Sequence, residues 1–228
     1  MKSTQIYPVI HYLDRDTAIA ETAIARRAGA DGVFLISHLG DDVELVDVAK
    51  EIRLLNAGFP VGVNLLSRQG LAAVQIAVSA GMDMVWADNM GVDSTGLTAE
   101  GRAIAAIAME QTNCKIFASV AFKYRPHEPL PESAAKHAQN AGLVPTTSGS
   151  ATGSAPEVQK ISVMSAATGG LLAVASGMTP ENVGSYAPYL SHILVATGVS
   201  LNEHQLDDEK LRAFIAKVRA SDARAPAG

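Results

Sequence analysis

A closed eight-stranded (β/α)8 barrel, the TIM-barrel arrangement, is the fold class that this sequence predicts, and three features predict it. Apolar, β-branched runs recur eight times along 228 residues, about one every 28. Helix-period segments end repeatedly in one short phrase: AGADGV at 28–33, AGFPVGV at 57–63 and AGMDMV at 80–85. Each phrase puts a glycine just past a helix and a short step before a strand, as when helices feed a parallel sheet. No GxGxxG follows the first strand, which disfavours an open doubly wound sheet.

The elements can be justified in order. Strand one is IYPVIHY (6–12), and the helix after it is DRDTAIAETAIARRA (14–28), with Ala18, Ile19, Thr22, Ala23 and Ala25 on one face. Strand two is GVFLISH (32–38). The segment 42–57 follows as a helix, with Val43, Val46, Ile52 and Leu55 as its apolar set. Strands three and four are PVGVNLL (60–66) and MVWADN (84–89), and a helix over 98–111 opens at Thr98. Strand five is KIFASVAF (115–122), followed by the longest irregular stretch, KYRPHEPLP (123–131). Strand six, LVPTTSGS (143–150), contains Pro145, which has no N–H for a ladder and belongs at the strand's start. Strand seven is LLAVASG (171–177), and Thr179-Pro180 beyond it reads as an N-cap and first turn of a helix. Strand eight is HILVATGVS (192–200). The last helix, 207–219, carries Asp207 and Asp208 at its front and Lys217 and Arg219 at its back, which suits the helix dipole.

One domain is expected over residues 1–220, with a small polar tail, SDARAPAG (221–228), expected to fray. The chain is 48% hydrophobic and 18% charged, as in soluble globular proteins, and its net charge of −5 argues against a nucleic-acid footprint. No apolar run approaches the ~20 residues that span a bilayer, and the N-terminus MKSTQIYPVI has no signal-peptide core. The single cysteine, Cys114, cannot form a disulfide within the chain and reads as a small core residue; a cytoplasmic, reducing location is expected. A homo-oligomer is compatible with the sequence but not required by it.

In this architecture the chemistry sits at the C-terminal ends of the strands. The polar residues there are His11 after strand one, Ser37 and His38 after strand two, Asn64 on strand three, Asp88 after strand four and Lys123 after strand five. Strand six contributes Ser148, Gly149, Thr152 and Gly153, strand seven Ser176 and Gly177, and strand eight Thr197 and Gly198. Loops after strands seven and eight often bind phosphate through backbone N–H groups, and glycine lets the backbone approach the oxygens. Asp88 is the candidate acid/base, with Lys123 or His11 assisting. A divalent metal is compatible with Asp88 and His38 or His11, although no HxH, HExxH or CxxC spacing supports zinc. No organic cofactor is indicated.

Taken together, VIHYL (9–13), DGV (31–33), GVNLL (62–66), GLTAEGRA (96–103), KIFASVAFK (115–123), SGSATGSAPEV (148–158) and SGMTPENV (176–183) resemble the BtpA family of the ribulose-phosphate-binding barrels. The resemblance implies a TIM barrel with a phosphate-type site from strands seven and eight, and no defined reaction. Asn64, Lys123, Ser148, Gly149, Thr152, Gly153, Ser176, Gly177 and Asn182 fit the family pattern. Ser37-His38, Ser119 and Arg68-Gln69-Gly70 depart from it at positions where the family carries carboxylates or amides.

Two readings of function follow. The first is an enzyme acting on a small phosphorylated metabolite, a sugar phosphate or nucleotide-like compound, by isomerase, lyase or glycosyl-transfer chemistry. The second is a non-catalytic ligand-binding or scaffold barrel.

Overall fold

A computed structural model describes residues 3–68, 70–110 and 113–223. Eight parallel strands close into a barrel in chain order. They are β1 (Gln5–His11), β2 (Val33–Ile36), β3 (Val61–Asn64), β4 (Met84–Ala87), β5 (Lys115–Ser119), β6 (Val144–Thr147), β7 (Ala173–Ala175) and β8 (His192–Val195). β8 returns to β1 in parallel register, from Gln5 opposite His192 to Pro8 opposite Val195. Pro145 is the second residue of β6, where the missing donor costs little.

The helices are α1 (Arg15–Ala28), α2 (Asp42–Leu55), α3 (Gly70–Ser79), α4 (Ala99–Glu110), α5 (Pro131–Asn140), α6 (Val158–Ala167) and α7 (Asp208–Asp222). Asp14 caps α1 by accepting from the Thr17 N–H, and Gly29 ends it in the left-handed region at φ 94°.

The repeated phrase has a second physical content. Asp31 in AGADGV accepts from the Ile6 N–H at the start of β1, and Asp83 in AGMDMV accepts from the Val61 N–H at the start of β3. Each carboxylate also meets an arginine from a helix, Arg219 for Asp31 and Arg53 for Asp83. These pairs pin helices to the N-terminal end of the barrel, the end remote from the candidate site.

Side chains from alternate positions fill the barrel. Tyr7, Phe34 and Phe117 meet edge to face, and Trp86 packs on Phe34. A Cβ at Gly62 would lie 2.5 Å from the Phe34 ring, so β3 needs glycine there. Burial pushes the Cys114 thiol up to about 12, in keeping with a core residue.

Three expectations change. In α2 the buried stripe is Leu45, Val48, Ala49 and Ile52 with Val46, while Val43 and Leu55 point to solvent. No α-helix follows β7: the chain makes two short 3-10 turns, Val183–Ser185 and Ala187–Tyr189. Gly184 weakens a helix there, and Pro188 cannot donate an i to i−4 bond. Finally, α7 continues through Ser221 and Asp222, because Asp222 accepts from both the N–H and the hydroxyl of Thr4. The rest of the expected tail, 224–228, lies outside the described residues, as do the N-terminal Met1 and Lys2, Gln69 and the expected helix end at Gln111.

Candidate active site at the barrel mouth

A cavity of about 130 Å³ opens at the C-terminal end of the barrel. Its floor is Val9, Ile36, Trp86, Ala175 and Leu194, the last turn of interior side chains on five strands. Its wall includes His11, His38, Lys123, Thr152, Ser176, Gly177, Thr197 and Gly198. Eight of the residues singled out in the sequence therefore share one cavity, whose lining contains no carboxylate among the described residues.

The loops that carry them interlock. A Cβ on Gly177 would lie 2.3 Å from the Ala155 nitrogen, one on Gly149 2.1 Å from the Ser154 carbonyl oxygen, and one on Gly198 2.0 Å from the Met178 carbonyl oxygen. Loop six is thus packed on loop seven, and loop seven on loop eight, at distances only glycine allows. Close backbone packing accounts for these glycines without a ligand. The ligand argument rests on the N–H groups of Gly177 and Gly198: both residues line the cavity, and neither N–H has an acceptor among the described residues.

Ser176 is held at φ 104°, a conformation that costs a non-glycine residue free energy. Its hydroxyl accepts from the Gly153 N–H at 2.9 Å, which ties loop seven to loop six. Asn182 secures the same turn: its amide donates to the Gly177 carbonyl at 2.8 Å and accepts from the Thr179 N–H at 2.9 Å. The 3-10 turn that replaces the expected helix supplies no long helix dipole, so an anion here would be held by individual N–H groups.

Lys123 is placed by a network on loops five and six. Its backbone N–H donates to Ser148 Oγ at 2.8 Å, and its ammonium donates to Thr152 Oγ1 at 3.2 Å. Ser148 Oγ in turn donates to the Gly149 carbonyl. Lys160, which sequence reasoning missed, sends its ammonium to the carbonyls of Ala121 at 2.6 Å and Ser148 at 2.9 Å. Thr147 Oγ1 also donates to the Ala121 carbonyl, and Ala121 is held at φ 47°. Burial lowers the pKa of Lys123, and the charge of Asp88 works against that shift.

Asp88 stands beside this cavity, not in its lining. Burial raises its pKa, while the charges of Lys123 and Arg125 pull it down. Arg125 also donates to the Asp88 backbone carbonyl at 3.2 Å. Ser148 and Gly149 face a second, larger space of about 720 Å³, lined also by Lys123, Tyr124, Arg125, His127 and Lys160. Gly153 lines neither space. Asn64 is buried in the barrel below the mouth, and both its amide oxygen and nitrogen lack partners. Ser119, at an altered family position, accepts the indole N–H of Trp86 at 2.9 Å.

The metal expectation also shifts. Among the described residues, the ligand-type side chains that cluster are His11, His38 and Glu203, with Asp88 not among them. Glu203 lies in a hairpin after β8 (Ser200–Asn202 with Gln205–Leu206), in a stretch between the expected strand eight (192–200) and last helix (207–219) to which the sequence assigned no element. Burial lowers the pKa of His11, His38 and His204 push it the same way, and Glu203 opposes them.

No protein-family model matches the chain, and no curated protein is similar to it. Solved structures are similar in fold. Phosphoribosyl anthranilate isomerase from Thermus thermophilus superposes with a TM-score of 0.68 at 15% identity, over 95% of this chain and 99% of that one. Thiamine phosphate pyrophosphorylase from Pyrococcus furiosus gives 0.66 at 16% identity, over 96% and 98%. (S)-3-O-geranylgeranylglyceryl phosphate synthase from Thermoplasma acidophilum, in complex with its substrate sn-glycerol-1-phosphate, gives 0.66 at 14% identity, over 96% and 93%. These likenesses show the fold. All three neighbours are named for phosphorylated compounds, and all three match the TIM barrel over nearly its whole length. No helix among the described residues is long and apolar enough to cross a membrane.

Proposed function

We propose that this barrel is an enzyme acting on a small phosphorylated metabolite whose phosphate is held between loops seven and eight. The observation that carries the reading is that Gly177 and Gly198, whose N–H groups have no acceptor among the described residues, line a cavity that Lys123 also lines and, among the described residues, no carboxylate does. Two acceptor-free N–H donors and a cation, on residues that line one small space, suit a tetrahedral dianion. The named substrates of the structural neighbours support the same class of ligand. The BtpA-like motifs SGSATG and SGMTPENV fall on loops six and seven, where a divergent member of that family would carry this site; no family reaction is assigned.

Lys123 lines the cavity and is the group that would donate or take a proton at the reacting end of the ligand. Asp88, beside it, would set the charge state of Lys123 and relay the proton. Isomerisation, carbon–carbon cleavage and glycosyl transfer all use such a pair.

Calorimetry with inorganic phosphate, glycerol phosphate and ribose phosphate is the direct test. At least one should bind and raise the melting temperature, and Thr197→Asp, which puts a carboxylate into the cavity from an exposed position, should abolish the effect while leaving the circular dichroism spectrum unchanged. Failure of every phosphorylated compound to bind would overturn the reading. Substitution at Gly177 or Gly198 would be a poor probe, since their Cβ positions are filled by backbone.

A non-catalytic ligand-binding barrel is favoured by one observation, that no carboxylate lines the cavity among the described residues. Turnover that is lost in Asp88→Asn, with phosphate binding retained, would remove that reading.

A further inference from the structure

We propose that His11, His38 and Glu203 form a binding site for one divalent transition-metal ion of the zinc class, at the rim of the barrel mouth. The inference concerns metal binding alone and stands whether or not a phosphorylated ligand binds beside it.

The three residues come from three consecutive positions around the barrel. His11 ends β1, and His38 lies two residues beyond Ile36, which is paired with His11 at the end of β2. Both histidines line the mouth cavity, with ring centroids 5.2 Å apart and planes tilted by 53°. That tilt is not a stack; it leaves the ring nitrogens free to converge. Glu203 arrives from the other side of β1, on the hairpin that follows β8. Its Oε1 is 3.9 Å from His11 Nδ1, and one ligand atom from each of the three residues lies within 4.8 Å of the other two.

The hairpin is held in place over β1. His204 Nδ1 meets the His11 carbonyl oxygen at 3.1 Å, and the His204 N–H donates to Asn202 Oδ1 at 3.0 Å. The Leu206 N–H donates to the buried Glu21 carboxylate at 2.6 Å, and the Asp207 N–H to the Val199 carbonyl at 2.8 Å. Glu203 is therefore presented by a fixed turn, with its side chain exposed.

A second observation points to a ligand. His11 Nδ1 is shielded from solvent and has no hydrogen-bond partner. An imidazole nitrogen enclosed without a partner forfeits its hydration, and a metal ion restores that loss. Zinc-class ions hold histidine nitrogen and carboxylate oxygen at about 2.0–2.2 Å, so tetrahedral ligands stand about 3.4 Å apart. Closing from within 4.8 Å to that spacing falls to the side chains of His38 and Glu203, both exposed. Two histidines and one glutamate make a three-ligand set, which leaves a fourth position open. Here that position would face the cavity shared with Gly177 and Gly198.

The test uses the whole chain, stripped with a chelator and titrated with zinc and then with cobalt. One equivalent should bind by elemental analysis, the melting temperature should rise, and cobalt should give the intense visible absorption of a tetrahedral site. His11→Ala and Glu203→Gln should each weaken binding at least about tenfold, since even loss of an outer-shell partner of a ligand costs about that much. His137→Ala, remote from the mouth, should leave it unchanged. Glu203→Gln is the safeguard against misfolding, because Glu203 is exposed and its backbone is untouched. Stoichiometric binding that survives the His11→Ala/Glu203→Gln double variant would overturn the proposal, as would no binding to the wild-type chain. Calorimetry with phosphate on the metal-free protein reads the other site separately.

Discussion

At the scale of single residues, the environment of Asp88 makes a signed prediction. Burial raises its pKa, and the two nearby cations, Lys123 and Arg125, restrain the rise. Arg125→Gln removes one of them, so the carboxyl should titrate at higher pH in the variant than in the wild type, measured by carbon NMR of labelled aspartate. An unchanged or lower midpoint would mean that Arg125 is screened by solvent. Lys123 and Asp88 were both legible in the sequence, because each follows a strand on the face where barrels carry their chemistry. Lys160 was not. It is the third residue of α6, not at a strand end, and only the fold turns its ammonium toward the Ala121 and Ser148 carbonyls.

At the scale of elements, two glycines of similar φ separate backbone strain from packing. Gly177 and Gly153 both have φ 77°, but a Cβ at Gly153 meets nothing within 4 Å, whereas one at Gly177 enters the Ala155 backbone. Gly153→Ala should cost about 1 kcal/mol and Gly177→Ala about 2–4 kcal/mol in urea unfolding, the excess being overpacking against loop six. Equal costs would mean that the loops do not interlock as described. The tie through Lys160 belongs to this scale as well. Lys160→Met leaves two loop carbonyls without their charged donor and should cost about 2–4 kcal/mol. Burial lowers the Lys160 pKa, so between its folded value and the ordinary ~10.4 the unfolded chain holds the proton and the folded chain does not. Wild-type stability should therefore rise with pH through that window relative to Lys160→Met.

At the scale of the whole molecule, closure joins the two ends of the chain. β8 pairs with β1, and α7 locks the seam through Arg219, which donates to the Thr4 carbonyl at 2.5 Å and to Asp31 at 2.6 Å. Asp31 simultaneously holds the Ile6 N–H at the start of β1. Arg219→Ala severs both links and should lower stability by about 2–3 kcal/mol, or roughly 5–10 °C in melting temperature for a chain of this size. A shift within 1–2 °C, typical of a solvated ion pair, would show that the seam is held by the strand ladder alone.

The strand count, the parallel order and the loops that carry the mouth residues are properties of local pattern, and the sequence by itself determined them. A run of β-branched residues, a glycine past a helix and a polar group after a strand each act within a few residues. Tertiary structure decided what distance alone decides. It divided the candidates between the mouth cavity and the neighbouring space, left Asp88 beside the mouth and buried Asn64 beneath it. It replaced the helix after β7 by two 3-10 turns, and it brought Glu203 to His11 across 192 residues of chain. Such contacts depend on how eight strands close, and no local propensity encodes a separation of that kind.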